Sequence, residues 1–242
     1  MKSTVRYYLA LILFCGAFTG CDKIKGLIEE SRKEEIVFVW LDASGSFVYD
    51  PVKKVKKEYR DMMIRDIKNG LKDISQKKIL GKYYLIIGLI TDRIDSERDF
   101  IVMGKLSGGD LKNYTEFSKI FDERINLLGD KRYGHTDIFG SFVLMENMLE
   151  RIDPNMEKSA YYAIYYSDMQ HTQNWKTDER KRPNPKDFKY LKKVKMTAVF
   201  AVPENKLFKI TERWLNSVGI KLKIEPPQKL QSGESVFFEC IN

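Results

Sequence analysis

Continuous apolar runs alternate along the chain with segments in which apolar residues recur every three or four positions. Runs of the first kind are typical of strands that are buried on both faces, as in a parallel sheet. They lie at residues 36–42, 82–92, 99–106, 161–168, 194–203 and 220–226. The three- and four-residue spacing instead predicts amphipathic helices. Helices are therefore predicted at residues 52–74, 107–129, 137–151 and 205–218.

The alternation of strands and helices predicts an α/β fold, with a doubly wound and mostly parallel sheet covered by helices on both faces. One pair of strands should be different, because only a short polar connection separates 82–92 from 99–106. These two strands are expected to form an antiparallel hairpin at the edge of the sheet. The apolar segment at 235–241 either adds a strand or packs across the end of the sheet. No internal repeat is present, so residues 35–242 are expected to form one domain.

Residues 1–20 have the layout of a secretory signal peptide. Two basic residues precede an uncharged apolar run at 7–14, which is too short to span a bilayer comfortably. The segment FTGC that ends at Cys21 resembles a bacterial lipobox, although Phe18 stands where Leu is usual. The resemblance implies cleavage before Cys21 and a lipid such as palmitate on that cysteine. The polar and charged residues that follow suit a tether, or a short helix, over residues 21–34. The alternative is an uncleaved membrane anchor, and both place the domain in the cell envelope, outside the cytoplasm.

Composition narrows the class of protein further. The 242 residues are 43% apolar and 31% charged, close to the globular average, which excludes a disordered or low-complexity chain. Three Cys and two His are too few for a disulfide framework or a thiolate zinc cluster. Cys240 lies in a mostly apolar run and is expected to be a buried structural residue. The net charge of +8 comes from basic residues scattered among acids, which argues against nucleic acid as a partner.

Oxygen-bearing side chains follow several predicted strands, at the edge where an α/β sheet binds ligands. The first strand ends in Asp42, and Ser44 and Ser46 follow at alternate positions. Thr136 lies in the loop before a predicted helix, and Asp168 ends a later apolar run. Carboxylates and hydroxyls suit a hard cation, and Mg²⁺ in particular keeps several waters and needs few protein ligands. The pattern predicts a divalent-cation site, and the alternative is that Asp42 and Ser46 only cap the following loop or helix.

The order Asp-x-Ser-x-Ser, then Thr, then a strand-terminal Asp resembles that of a von Willebrand factor A domain over about residues 35–226. The resemblance implies a Rossmann-like fold with a metal-ion-dependent adhesion site, in which Mg²⁺, or else Mn²⁺ or Ca²⁺, is bound. The ligands that it implies here are Asp42, Ser44, Ser46, Thr136 and Asp168. An open coordination position would then accept an Asp or Glu from a protein partner. Met169 stands where many members have Gly, which predicts a different path for the loop after Asp168.

Residues close to the expected site are candidates for contacts with a partner. His135 adjoins Thr136, and His171 and Asn174 follow Asp168, so these residues should form the rim. The pattern favours a non-enzymatic, lipid-anchored module that captures a protein partner through a metal-bridged carboxylate. The alternative is Mg²⁺-dependent hydrolysis of phosphorylated or cell-envelope substrates, with His135 or His171 as the base. Binding of envelope polyanions or nucleic acid through Lys and Arg ranks last.

Overall fold

The structure, a computed structural model, describes most of the chain from Glu34 onwards. The described residues are 34–43, 55–76, 82–91, 94, 100–128, 135–158, 160–172, 182–231 and 235–241. They belong to one compact unit, Glu34–Asn242. Among the helices in these ranges, none is long and apolar enough to cross a membrane.

A six-stranded sheet forms the centre of this unit. Its strands are β1 Glu35–Asp42, β2 Lys82–Ile90, β3 Phe100–Ser107, β4 Tyr161–Tyr166, β5 Lys195–Val199 and β6 Leu222–Glu225. They lie in the order β3-β2-β1-β4-β5-β6, and all neighbours are parallel except the antiparallel β2–β3 pair at one edge. The predicted doubly wound, mostly parallel sheet with an antiparallel edge hairpin is therefore confirmed.

Helices cover both faces of the sheet, as predicted. In the described ranges they are α1 Val55–Gln76, α2 Leu111–Leu128, α3 Ile138–Ile152, α4 Lys206–Val218 and α5 Val236–Ile241. One apolar core lies between the sheet and α1, α2 and α5, and a second lies between the sheet and α3 and α4. In β1, Val37, Val39 and Leu41 belong to the first core, whereas Phe38 and Trp40 belong to the second. Since successive side chains point to opposite faces, a strand between two cores must be apolar throughout.

In the C-terminal segment 235–241, residues Val236–Ile241 form a helix on α1, so of the two alternatives the added strand is wrong. The backbone N–H groups of Val236 and Phe237 donate to the carboxylate of Asp66 on α1, at 2.9 and 3.1 Å. The hydroxyl of Tyr166 on β4 donates to the same carboxylate. Asp66 is only 3% exposed, so it is a buried acceptor shared by three donors. An acceptor at the first N–H groups of a segment favours a helical turn there.

Cys240 lies on α5 and is partly buried, packed against the core beneath α1. Burial raises the pKa of its thiol, which keeps the thiol protonated near neutral pH. These surroundings are those of a packing residue rather than of a nucleophile.

The described part of the β4–β5 connection packs against both α3 and α4 and contains no α-helix. It contains two short 3₁₀ helices, Pro185–Asp187 and Leu191–Lys193. The carboxylate of Glu146 on α3 accepts the N–H groups of residues 189–191 at 2.6–3.1 Å. The indole N–H of Trp214 on α4 donates to the carbonyl of Pro183 at 2.8 Å. Contacts from both helices thus fix this segment against the fold.

Candidate metal centre

Asp42, the last residue of the inner strand β1, lies at the carboxyl edge of the sheet. It is 1% exposed, and its carboxylate accepts a hydrogen bond from Ser167 Oγ at 2.7 Å. β1 and β4 are parallel neighbours, with Leu41 opposite Tyr166, so the residues that follow these positions meet at one edge. The hydrogen bond therefore joins the ends of the two strands that carry the predicted carboxylate ligands.

The turn after β4 is shaped by hydrogen bonds to side chains of the turn itself. The backbone N–H of Ser167 donates to the carbonyl of Val199 on β5 at 3.0 Å. Ser167 Oγ accepts the N–H of Met169 at 2.9 Å, and Asp168 Oδ1 accepts the N–H of Gln170 at 3.0 Å. These bonds fix the position of Asp168 directly after the serine that contacts β1.

Met169 adopts a φ of +59°, in the left-handed region that favours glycine. For a residue with a Cβ this conformation costs about 1–2 kcal/mol. The methionine side chain is fully buried in the core beneath α3 and α4, and that burial offsets the cost. The methionine therefore takes up a conformation that glycine would also adopt, and the different loop path expected from its presence is not required.

Thr136 is tied to the same edge by backbone hydrogen bonds. Its N–H donates to Thr172 Oγ1 at 2.7 Å, and its carbonyl accepts the N–H of Thr172 at 3.0 Å. The N–H of the next residue, Asp137, donates at 2.9 Å to the carbonyl of Thr91, which follows β2. Thr136 is 1% exposed, and in the described ranges no group hydrogen-bonds its hydroxyl. This hydroxyl is the neutral oxygen that the predicted ligand set places beside the two carboxylates.

The two histidines have different surroundings. His135 is exposed, whereas the side chain of His171 is only 14% exposed. The His171 ring lies 4.5 Å from the ring of Phe139, and its Nδ1 lies 3.8 Å from Asp137 Oδ1. Asp137 also accepts the N–H of Gly140 at 2.9 Å and so caps the start of α3. His171 is therefore packed in place against the first turn of α3.

Several solved structures share this arrangement of strands and helices. The chain is similar to the PilB minor pilin from Streptococcus sanguinis, with a TM-score of 0.58, 11% identity, and coverage of 86% of this chain and 60% of that one. It is similar to a von Willebrand factor type A structure from Catenulispora acidiphila, with a TM-score of 0.50, 10% identity, and coverage of 86% and 43%. The chain has a von Willebrand factor A-like fold. Proximal thread matrix protein 1 from the mussel byssus is also similar, with a TM-score of 0.50, 15% identity, and coverage of 86% and 46%.

Sequence comparison adds no relative, because no family model and no curated protein matches the chain. The chain spans between 43% and 60% of the length of the three solved chains above. At identities of 10–15% the likeness shows the fold alone. The ligand set therefore rests on the residues of this A-like domain and stays a prediction.

Part of the predicted set lies outside the described residues. The residues concerned are Ser44, Ser46, Asn174 and Cys21. Within the described ranges, no three residues among His, Cys, Asp and Glu come together as a metal cluster. The predicted ligands that lie in the described ranges are two carboxylates, Asp42 and Asp168, and one hydroxyl, Thr136. All three offer oxygen, the donor type that Mg²⁺, Mn²⁺ and Ca²⁺ prefer, so the residues fit such an ion.

Two hydroxyl residues at this edge were missed by reasoning from sequence, namely Ser167 and Thr172. Ser167 directly precedes a predicted ligand, but spacing does not show that its hydroxyl turns towards β1. Thr172 lies in the predicted rim segment and pairs with a residue 36 positions earlier. The only signal was the concentration of hydroxyl and amide side chains after the strand.

Proposed function

We propose that this domain, with its von Willebrand factor A-like fold, is a binding module that captures a protein partner. A divalent cation would bridge the domain and a carboxylate of the partner. The residues proposed to hold the cation are Asp42, Ser44, Ser46, Thr136 and Asp168. When bound, Mg²⁺, or else Mn²⁺ or Ca²⁺, would supply an open coordination position for an Asp or Glu of the partner. The observation that best supports the proposal is the 2.7 Å hydrogen bond from Ser167 to Asp42, because it brings the ends of two ligand-bearing strands together.

The described residues favour binding over turnover at this edge. Of the two candidate bases, His171 is mostly buried, and its ring lies against Phe139 and near Asp137. A base that serves catalysis must reach the proton it removes, and this packing restricts the ring. The exposed His135 would then contribute to the rim that selects the partner.

Partner capture can be tested directly with the mature chain from which the lipid-bearing Cys21 is omitted. Residues 22–242 are immobilised and incubated with envelope proteins of the host in Mg²⁺, and the retained proteins are eluted with EDTA. We expect retention in Mg²⁺ and release by EDTA. Thr136→Ala should weaken retention less than the loss of a carboxylate, because water can partly replace one neutral ligand. Thr115→Ala, which removes an exposed hydroxyl on α2, is the matched control.

Retention that EDTA does not change would reject the metal bridge and leave the fold untouched. Equal retention by Thr136→Ala and wild type would remove the threonine from the ligand set.

The same proposal includes attachment of a lipid to Cys21 and anchoring in a bacterial envelope membrane. Cys21→Ser should abolish labelling of the protein by a fatty-acid probe in cells, because the thiol that carries the lipid is absent. Labelling is measured by in-gel fluorescence, with Cys240→Ser as the matched control that keeps the signal. Equal labelling of Cys21→Ser and wild type would disprove lipid attachment at this residue.

A further inference from the structure

The described end of the β4–β5 connection carries positive charge that the proposed metal site does not use. Residues 182–195 are named the basic strap. Its basic residues are Arg182, Lys186, Lys189, Lys192, Lys193 and Lys195, and its one acidic residue is Asp187. All five lysines are exposed. This surface is therefore strongly cationic, whereas over the whole chain basic and acidic residues are more nearly balanced.

The basic strap is a fixed structure rather than a loose loop. Its apolar side chains, Phe188, Tyr190, Leu191 and Val194, are 0–6% exposed and pack into the core beneath α3 and α4. The hydroxyl of Tyr190 donates to the carbonyl of Pro154 at 2.9 Å. Together with the capping carboxylate on α3, these contacts hold the backbone from which the lysines project. A fixed backbone lowers the ordering cost of binding.

The lysines of the basic strap have no acidic partner in the described ranges, where the ion pairs involve other residues. Lys189 Nζ lies 5.0 Å from the ring centre of Tyr190, and Lys195 Nζ lies 5.1 Å from that of Tyr162. Such contacts leave the ammonium charge in place. The strap can therefore attract an external anion.

The basic strap ends at the amino edge of the sheet, opposite the candidate metal centre. Lys195 begins β5 and pairs with Tyr162 near the start of β4, and Glu34 directly precedes β1 at the same edge. The charge of Glu34 is offset by ion pairs to Lys158 at 2.8 Å and to Lys105 at 3.2 Å. The chain from Cys21 to Glu34 can span at most about 45 Å. A lipid on Cys21 would therefore hold Glu34, at this edge, within about 45 Å of the anchored residue.

We propose that the basic strap binds the anionic headgroups of the membrane that carries the lipid anchor. Contact through this edge turns the candidate metal centre away from the membrane, towards a partner. The orientation rests on the proposed lipid attachment, but the affinity of the strap for anionic lipid does not. Each lysine close to an anionic surface strengthens binding by about fivefold.

The test measures how much of the protein sediments with lipid vesicles at low salt in the presence of EDTA. The protein used is residues 22–242, which carry no lipid. We expect binding to mixed phosphatidylglycerol and phosphatidylcholine vesicles, and none to phosphatidylcholine alone. The double variant K192A/K193A should bind the mixed vesicles about 25-fold more weakly. The matched control is K206A/K209A, an equal change of charge on the exposed first turn of α4, which begins at the opposite edge. This control should bind as wild type does.

Three results would overturn the proposal. The first is equal binding to both kinds of vesicle, and the second is an equal loss of vesicle binding in both double variants. The third is lysine-dependent binding to single-stranded RNA that is tighter than binding to vesicles. Thermal melting checks that both double variants fold. Because EDTA is present and the lipid is absent in this experiment, a lack of vesicle binding would not contradict the proposed metal-bridged capture or the proposed lipid on Cys21. Conversely, loss of capture with vesicle binding intact would reject the metal bridge alone.

Discussion

Asp42→Asn should lower the affinity of the domain for Mn²⁺ by about 100-fold or more, since replacing a residue that only hydrogen-bonds a metal ligand already costs about 10–100-fold. Asn keeps the shape of the side chain and can still accept the hydrogen bond from Ser167, but it removes a full negative charge. A ligand at 100 times its Kd stabilises the native state by about 2.7 kcal/mol. For a domain of this size that raises Tm by about 5–10 °C. Melting curves with increasing Mn²⁺ should show this rise for wild type and not for Asp42→Asn.

The control for Asp42 is Glu204→Ala, which removes an exposed acid after β5 that is not a predicted ligand. It should keep the full response to Mn²⁺. Asp42→Ala should in addition lower the free energy of unfolding without metal by about 1–3 kcal/mol, because the buried Ser167 hydroxyl loses an acceptor. If Asp42→Asn and wild type gain the same Tm from Mn²⁺, Asp42 is not a ligand and the proposed site is wrong.

Asp66→Ala should lower the free energy of unfolding by about 3–6 kcal/mol, measured by urea denaturation. Three buried donors lose their acceptor, namely the hydroxyl of Tyr166 and the N–H groups of Val236 and Phe237. Each unsatisfied buried group costs about 1–3 kcal/mol. Asp66→Asn retains one oxygen acceptor and should therefore cost less than Asp66→Ala. An effect of Asp66→Ala below about 1 kcal/mol would show that α5 does not depend on this carboxylate.

The stability difference between wild type and Asp66→Asn should also depend on pH. Burial raises the pKa of Asp66, and hydrogen bonds from Tyr166 and Phe237 offset only part of that rise. A carboxyl whose pKa is higher in the native state binds its proton more tightly when folded. Its contribution to stability is then present at low pH and falls as the pH rises from about 4, the ordinary value, through the raised native pKa. Urea denaturation of both proteins across this window should show the difference shrinking, and a constant difference would contradict the raised pKa.

The parts of the fold that could be predicted are those whose burial follows from a local pattern. β1 is buried on both faces and is therefore apolar throughout. In α4, the buried residues Phe208, Thr211, Trp214 and Leu215 follow a helical spacing. The short C-terminal run offered no such signal, because a run of seven residues of which five are apolar fits a strand as well as a helix. Its form depends on Asp66, which lies 170 residues before Val236.

In the candidate site, the positions of the candidate ligands in the fold could be predicted from the sequence, but their hydrogen bonds could not. Asp42 and Asp168 follow from where strands end, because ligands gather at the carboxyl ends of parallel strands. The bond from Ser167 to Asp42, and the pairing of Thr136 with Thr172, depend on rotamers and loop paths. A single sequence carries no spacing rule for either. The same holds for Glu146, which caps a segment 43 to 45 residues away.

The placement of β1 has a mechanical consequence. Its amino end continues from Glu34, on the side of the proposed anchor, and its carboxyl end is Asp42, at the proposed point of capture. Tension between an anchored membrane and a captured partner would therefore run lengthwise along this strand. β1 pairs in parallel with β2 along its whole length and with β4 over Ile36–Leu41. Because the bonds of parallel ladders are evenly spaced, such a load shears them all together instead of unzipping them one by one.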